Sequence, residues 1–153
     1  MAVNKIKNMR VDDIFRRVAE AKTRKDKIEV LHTYNHRGLR DVLKGAFDSA
    51  IEFNLPPGEP PFTPGSTSSF GSTLLKQSKK FHYFVKTPQR PTAGPKVETI
   101  FIQMLESLHP GEAEIVILMK DKNLEGQYKG LTKKLVSEAF PGLLSDTWLW
   151  YNI

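Results

Sequence analysis

The chain has 153 residues, enough for one domain with a single core and too few for two, and it carries six more Lys and Arg than Asp and Glu. That balance favours anionic partners, either nucleic acid or an acidic protein surface. The absence of cysteine excludes disulfides, thiolate metal sites and cysteine nucleophiles. No apolar run approaches the roughly 20 residues needed to cross a bilayer, and the opening Met-Ala-Val-Asn-Lys-Ile-Lys lacks the hydrophobic segment of a signal peptide. The expectation is a soluble protein of the cytoplasm with no membrane association.

From Val11, the residues Ile14, Phe15, Val18 and Ala19 recur at helical spacing, and Asp12 and Asp13 complement the helix dipole at its start. Thr23 suits the cap of a second helix, in which Ile28, Leu31 and His32 or Tyr34 share a face while Arg24, Lys25 and Lys27 point outward. A third helix follows Asn35, with Leu39, Val42, Leu43, Ala46 and Phe47 as its apolar stripe and Arg40 and Lys44, four apart, on another face. Residues 55–73 are almost wholly Pro, Gly, Ser and Thr and admit neither helix nor sheet. They read as a linker or, given Phe62 and Phe70, as a loop pinned to the surface by two aromatic anchors.

Leu74, Leu75, Ser78, Phe81 and Val85 fit a fourth helix with Lys76, Lys79 and Lys80 on its other side, although the alternation of Phe81, Tyr83 and Val85 would also suit a strand. After a proline-rich connector at 87–95, Ile100, Phe101, Met104, Leu105 and Leu108 mark a fifth helix, ended at His109, Pro110 and Gly111. A sixth spans Glu112 to Lys122; its centre, Ile115 to Met119, is apolar on every side and so suits the core. The seventh runs from about Leu131 to Phe140. Seven helices without a strand pair predict a single compact all-α domain, residues 145–153 forming a C-terminal tail.

Enzyme signatures are missing: no phosphate-binding Gly-Lys-Ser/Thr loop, no dinucleotide glycine motif, no His-Glu-x-x-His, no Gly-x-Ser-x-Gly, and no Asp followed by Gly. His32 and His36 stand at i, i+4, but no acidic or cysteine partner adjoins them to complete a metal site. We therefore expect a non-enzymatic protein with no catalytic residue, metal or cofactor.

Charge supplies the positive signal. Residues 76–96 carry Lys76, Lys79, Lys80, Lys86, Arg90 and Lys96 and no acidic residue, which suits a phosphate-facing surface as well as a solvated face. Phe81, Tyr83 and Phe84 among them suit base stacking or, at helical spacing, the core. Around the seventh helix, Lys129 and Gly130 precede Thr132, Lys133 and Lys134. Unpaired N–H groups and the positive dipole end at a helix start attract a phosphate, and a glycine lets it come close; the same residues also suit a plain helix start with solvated lysines.

Several stretches together resemble the helical N-terminal DNA-binding domain of phage-type ATP-dependent DNA ligases. EAEIVILMKDKNLEGQYKGLTKKLVSEAFPGLL is similar to that domain's closing hairpin, in which a buried helix ends in Met, a basic residue and Asp-x-x-Leu, a Gly-centred loop follows, and a second helix ends in an aromatic, Pro and Gly. LRDVLKGAFDSAIEFNLPPGEPPF and RPTAGPKVETI resemble its Leu-rich helix with the following extended stretch and its basic Thr-Gly turn. The resemblance spans Val11 to Leu144, departing in a longer loop at Asn123 to Tyr128 and in the lack of any stretch like the catalytic nucleotidyltransferase domain.

It implies a grip on duplex DNA phosphates by Lys129, Gly130 and Thr132, with Lys120, Lys122 and Lys133 close by, and an accessory role in phage replication, repair or transcription inside the infected bacterial cell. Lys134, Arg40, Lys44, Lys76, Lys79, Lys80, Arg90 and Lys96 complete the expected contact set. The competing expectation is an adaptor or inhibitor that binds a host or phage enzyme such as a polymerase. The aromatic end SDTWLWYNI, with Trp148, Trp150 and Tyr151, would then be core or interface.

Overall fold

A computed structural model of the chain describes residues 9–63, 73–88 and 95–144. Its helices are α1 (Val11–Glu20), α2 (Arg24–Thr33), α3 (Arg37–Phe47), α4 (Leu74–Gln77), α5 (Pro95–Ser107), α6 (Pro110–Lys120) and α7 (Lys133–Ala139), with a 3-10 segment, Ser78–Phe84, continuing α4. An isolated antiparallel bridge pairs Phe53 with Val85, where Asn54 N–H donates to Phe84 O and Lys86 N–H to Glu52 O, each at 2.7 Å. The expected all-α class is observed.

Polar side chains start most of these helices by accepting N–H groups that the first turn leaves unpaired. Thr23 accepts from Asp26 N, Thr73 from Lys76 N and Thr132 from Leu135 N. His36 Nδ1 takes the N–H of Leu39 at 3.1 Å, so one of the two histidines considered for a metal caps α3. His109 caps α6, with Pro110 at its first position, where a missing N–H costs nothing.

α6 packs on α1, α3 and α5, and its Ala113, Ile115, Val116, Ile117 and Met119 are buried, as the all-round apolar centre predicts. Every helix contributes to one hydrophobic cluster. Glu112, in the first turn of α6, ties two helix starts to that cluster: its carboxylate accepts Val11 N–H at 3.2 Å and Leu74 N–H at 3.3 Å. Burial raises the Glu112 pKa above the ordinary carboxylate value, and those two N–H groups oppose the rise.

The fourth predicted helix needs correction. After one α-helical turn the chain tightens, and Ser78, Phe81 and Phe84, spaced by three, are all buried. A 3-10 segment has three residues per turn, so this spacing keeps all three on one face, whereas an α-helix would rotate them apart. Leu75, expected inside, is 40% exposed, and Val85 leaves the helix for the bridge to Phe53. The sixth helix stops at Lys120, two residues early, because Lys122 adopts φ +60°. α7 is shorter than expected at both ends.

Lys27 is likewise corrected, since it is buried rather than outward, and so is Lys44, whose ammonium is enclosed between Asp48 Oδ2 at 3.0 Å and Leu143 O at 2.9 Å. Of the two aromatics expected to pin the proline-rich loop, Phe62 is half-buried against the core, while Phe70 lies outside the described residues. The C-terminal residues 145–153 lie outside them as well.

α3 meets α4 at Gly38, where an added Cβ would stand 2.9 Å from Leu75 Cα and 3.1 Å from Leu75 N. Backbone cannot yield as a side-chain tip can. Gly38→Ala should therefore cost about 1–3 kcal/mol through overpacking, read as a lower urea midpoint at unchanged slope; a stability equal to the native chain's would mean the two helices separate freely.

Candidate nucleic-acid interface

α1 ends at Glu20, where Ala21 N–H reaches Arg17 O and Val18 O, and α2 brings Lys27 beneath the last carbonyls. The Lys27 ammonium donates to Val18 O at 2.8 Å and Ala21 O at 2.7 Å, and at 3.4 Å to both Ala19 O and Lys129 O. The last contact fastens the turn that leads into α7. Gly130 sits in that turn at φ +81°, and an added Cβ would stand 2.6 Å from Lys27 Cε. The glycine thus admits the stem of a buried lysine and a left-handed backbone, which accounts for it without a bound anion. Leu131, fully buried, and Tyr128, whose ring meets Phe15 edge-on at 5.6 Å, hold the turn on either side.

Two further lysines expected at the phosphate site turn inward. Lys120 donates to Pro56 O and Gly58 O, both at 2.9 Å, and pairs with Asp121, while Asp121 Oδ2 accepts Gly58 N–H at 3.1 Å. That pair holds the start of the proline-rich loop against the end of α6. Lys122 reaches the C-terminus of α3, donating to Gly45 O and Asp48 O, and lies 5.5 Å from the centre of the Phe53 ring. Although the residue as a whole is exposed, its ammonium is enclosed. Enclosure lowers its pKa to about 8; Lys133 adds to the fall, and Asp48 opposes it.

Of the expected contact residues, exposed cations remain at two places. Lys129, Lys133 and Lys134 surround the Gly130 turn, and among the described residues none of the three makes an ion pair. Glu138, one turn beyond Lys134, is paired with Arg24. Thr132 is half-buried with its hydroxyl used as the α7 cap, so its side-chain acceptor is directed at the helix. Lys76, Lys79, Lys80 and Lys96 are exposed on α4, the 3-10 segment and α5. Arg40 is half-buried and donates to Asn35 Oδ1 at 2.6 Å, and Arg90 lies outside the described residues.

Lys27 is the residue that sequence reasoning passed over. Its signal was present: Lys27 and Leu31 are four apart, so they share one face of α2, and Leu31 is fully buried. Among the described residues no group of three His, Asp or Glu could hold a metal ion, and no helix is long and apolar enough to cross a membrane.

The chain matches a family of unknown function, DUF6433, over residues 14–126, and it belongs to that family. The match covers α1 to α6 and the start of the following loop, and the Gly130 turn lies beyond it. No curated protein and no solved structure matches the chain.

The Lys122 ammonium sets a pH dependence whose sign follows from its lowered pKa. Its folded value lies below the unfolded 10.5, so below about 8 the charged group costs stability, and the cost is relieved as pH rises from about 8 to 10.5. Water reaches part of the residue and keeps the effect small. In an NMR titration the Lys122 side-chain resonances should shift with a midpoint near 8, and Asp48→Asn should move that midpoint lower still by removing the nearby carboxylate. A midpoint in the ordinary lysine range would show that the ammonium is not enclosed.

Proposed function

We propose that this member of DUF6433 is a non-enzymatic protein that binds duplex DNA along its phosphate backbone, with little sequence preference, through the turn at Lys129–Lys134. The observation that carries the reading is the contrast between its lysines. Lys27, Lys44, Lys120 and Lys122 are committed to carbonyls and carboxylates inside the protein, whereas among the described residues Lys129, Lys133 and Lys134 extend without ion-pair partners from a turn that Lys27 fastens. A rigid turn places three charges with little entropy left to lose on binding. Lysine is a point charge on a flexible stem, suited to phosphate oxygens and poorly suited to reading base edges.

The resemblance to the DNA-binding domain of DNA ligases supports the same ligand, because in that domain the corresponding Gly-containing turn grips phosphates. α7 has only seven residues, so its dipole adds little, and the side chains carry the interaction. On this reading the protein is a phage accessory to DNA replication, repair or transcription in the cytoplasm of the infected bacterium. Lys76, Lys79, Lys80 and Lys96 would extend the contact where the duplex reaches them.

Binding of a hairpin-capped duplex should weaken steeply with salt, by a slope of about 0.9 for each phosphate neutralised. The double variant Lys129→Glu, Lys133→Glu should bind two unrelated sequences equally less well, with the slope reduced by about 2. Both side chains are exposed, so the variant should keep its fold. Undiminished duplex affinity in that variant, measured by fluorescence anisotropy, would refute the assignment of the turn.

A further inference from the structure

Lys122 stands where the end of a helix favours glycine. Its N–H donates to Met119 O at 3.1 Å and that of Asn123 to Leu118 O at 2.9 Å, the pair of bonds that closes α6 through a left-handed residue. Lys122 is that residue, at φ +60°, and among those described it is the only one other than glycine with a positive φ. A side chain is strained in this conformation and glycine is not, and such strain marks positions where the side chain has a role.

The Lys122 amine differs from those of the other internal lysines in its acceptors. Lys27 reaches four carbonyls, Lys120 two carbonyls and the Asp121 carboxylate, and Lys44 a carbonyl and the Asp48 carboxylate. Lys122 donates to two neutral carbonyls, Gly45 O and Asp48 O, and among the described residues it makes no ion pair. An ammonium has three N–H bonds to place and a neutral amine has two. These two acceptors therefore satisfy the neutral amine and leave its lone pair unused. Enclosure favours that form and brings the pKa to about 8; Lys133 acts in the same direction, while Asp48 and Glu52 oppose it.

The same residue adjoins open space. Lys122 and Lys133 line a cavity of 430 Å³ between the end of α3 and the hairpin of α6 and α7, together with Asp48, Ser49, Glu52 and Glu125. Ser49, Glu52, Glu125 and Lys133 are exposed, so the cavity is reached from solvent. We propose that Lys122 is an acylation site, taking a small acyl group from an activated, phosphate-bearing donor that enters this cavity beside Lys133. The amine lone pair attacks the acyl carbon, the bond from that carbon to the donor's oxygen or sulfur breaks, and one amine proton leaves with the phosphate or thiol. The amide formed is uncharged and keeps one N–H for the two carbonyls at the end of α3, so acylation slackens the tie between α3 and the hairpin. Acyl phosphates and coenzyme A thioesters supply the same group. The site does not rest on the duplex-binding reading, although Lys133 belongs to both.

The test incubates the full chain with acetyl phosphate in one arm and acetyl coenzyme A in the other, near pH 8, and follows each lysine by site-resolved mass spectrometry. Lys122 should be acetylated about tenfold faster than exposed Lys129 and Lys134, because a lowered pKa raises the neutral fraction by more than it reduces nucleophilicity. The faster arm identifies the donor, and the advantage of Lys122 should vanish in urea. Lys133→Ala should slow the reaction about twofold and Glu52→Gln should quicken it by about as much, since the first removes a charge that favours the neutral amine and the second one that opposes it. Both positions are exposed, so both variants should keep the fold. Equal rates at Lys122 and Lys129 in the native chain, an advantage that survives in urea, or a rate indifferent to both substitutions would each overturn the proposal.

Discussion

A buried ammonium needs several oxygens around it, and a helix end leaves several carbonyls without donors; at Lys27 each requirement meets the other. One side chain collects Val18 O, Ala19 O and Ala21 O from the end of α1 and Lys129 O from the turn before α7. Because α2 packs on both α1 and α7, this ammonium lies where three helices would otherwise leave polar backbone against a nonpolar interior. Gly130 is the other half of the same arrangement, since any larger residue would strike the Lys27 stem. The presentation of Lys129, Lys133 and Lys134 therefore depends on a contact made beneath the surface.

Three other lysines follow this logic at different helix ends. Lys122 serves the C-terminus of α3, Lys44 joins α3 to the carbonyl of Leu143, and Lys120 holds the proline-rich loop at the end of α6. Short helices joined by irregular loops expose many carbonyls per unit of core, and long flexible cations reach them where backbone N–H groups cannot. Part of the chain's positive charge thus serves its own construction, and net charge overstates what is offered to a partner. The charge that remains outside is spread over several elements, α1 and α2 among them, and it includes the group at the Gly130 turn that carries the duplex-binding reading.

Membership of DUF6433 rests on residues 14–126, which include the internal lysines but stop short of the Gly130 turn. The proposed duplex grip at the Gly130 turn lies outside the matched segment and draws its support from this chain's own exposed lysines.

The all-α class, most of the helical segments and most of the core were legible from local pattern. Apolar spacing near 3.6 and polar caps such as Thr23, Thr73 and Thr132 are local properties, set by residues a few positions apart. The central place of α6 was legible too, because a helix apolar on all sides can be satisfied only in an interior. The split of the fourth helix was less so: Ser78, Phe81 and Phe84 fit a period of three, but Phe81 and Val85 equally fit a period near four, and packing against α3 and α5 decided between them. Which lysines face out was set by contacts between segments far apart in the chain. A lysine's stem is apolar and its head is charged, so its sequence position leaves both environments open until carbonyls distant in the chain are brought within reach, as they are for Lys27, Lys44, Lys120 and Lys122 and, among the described residues, are not for Lys129, Lys133 and Lys134.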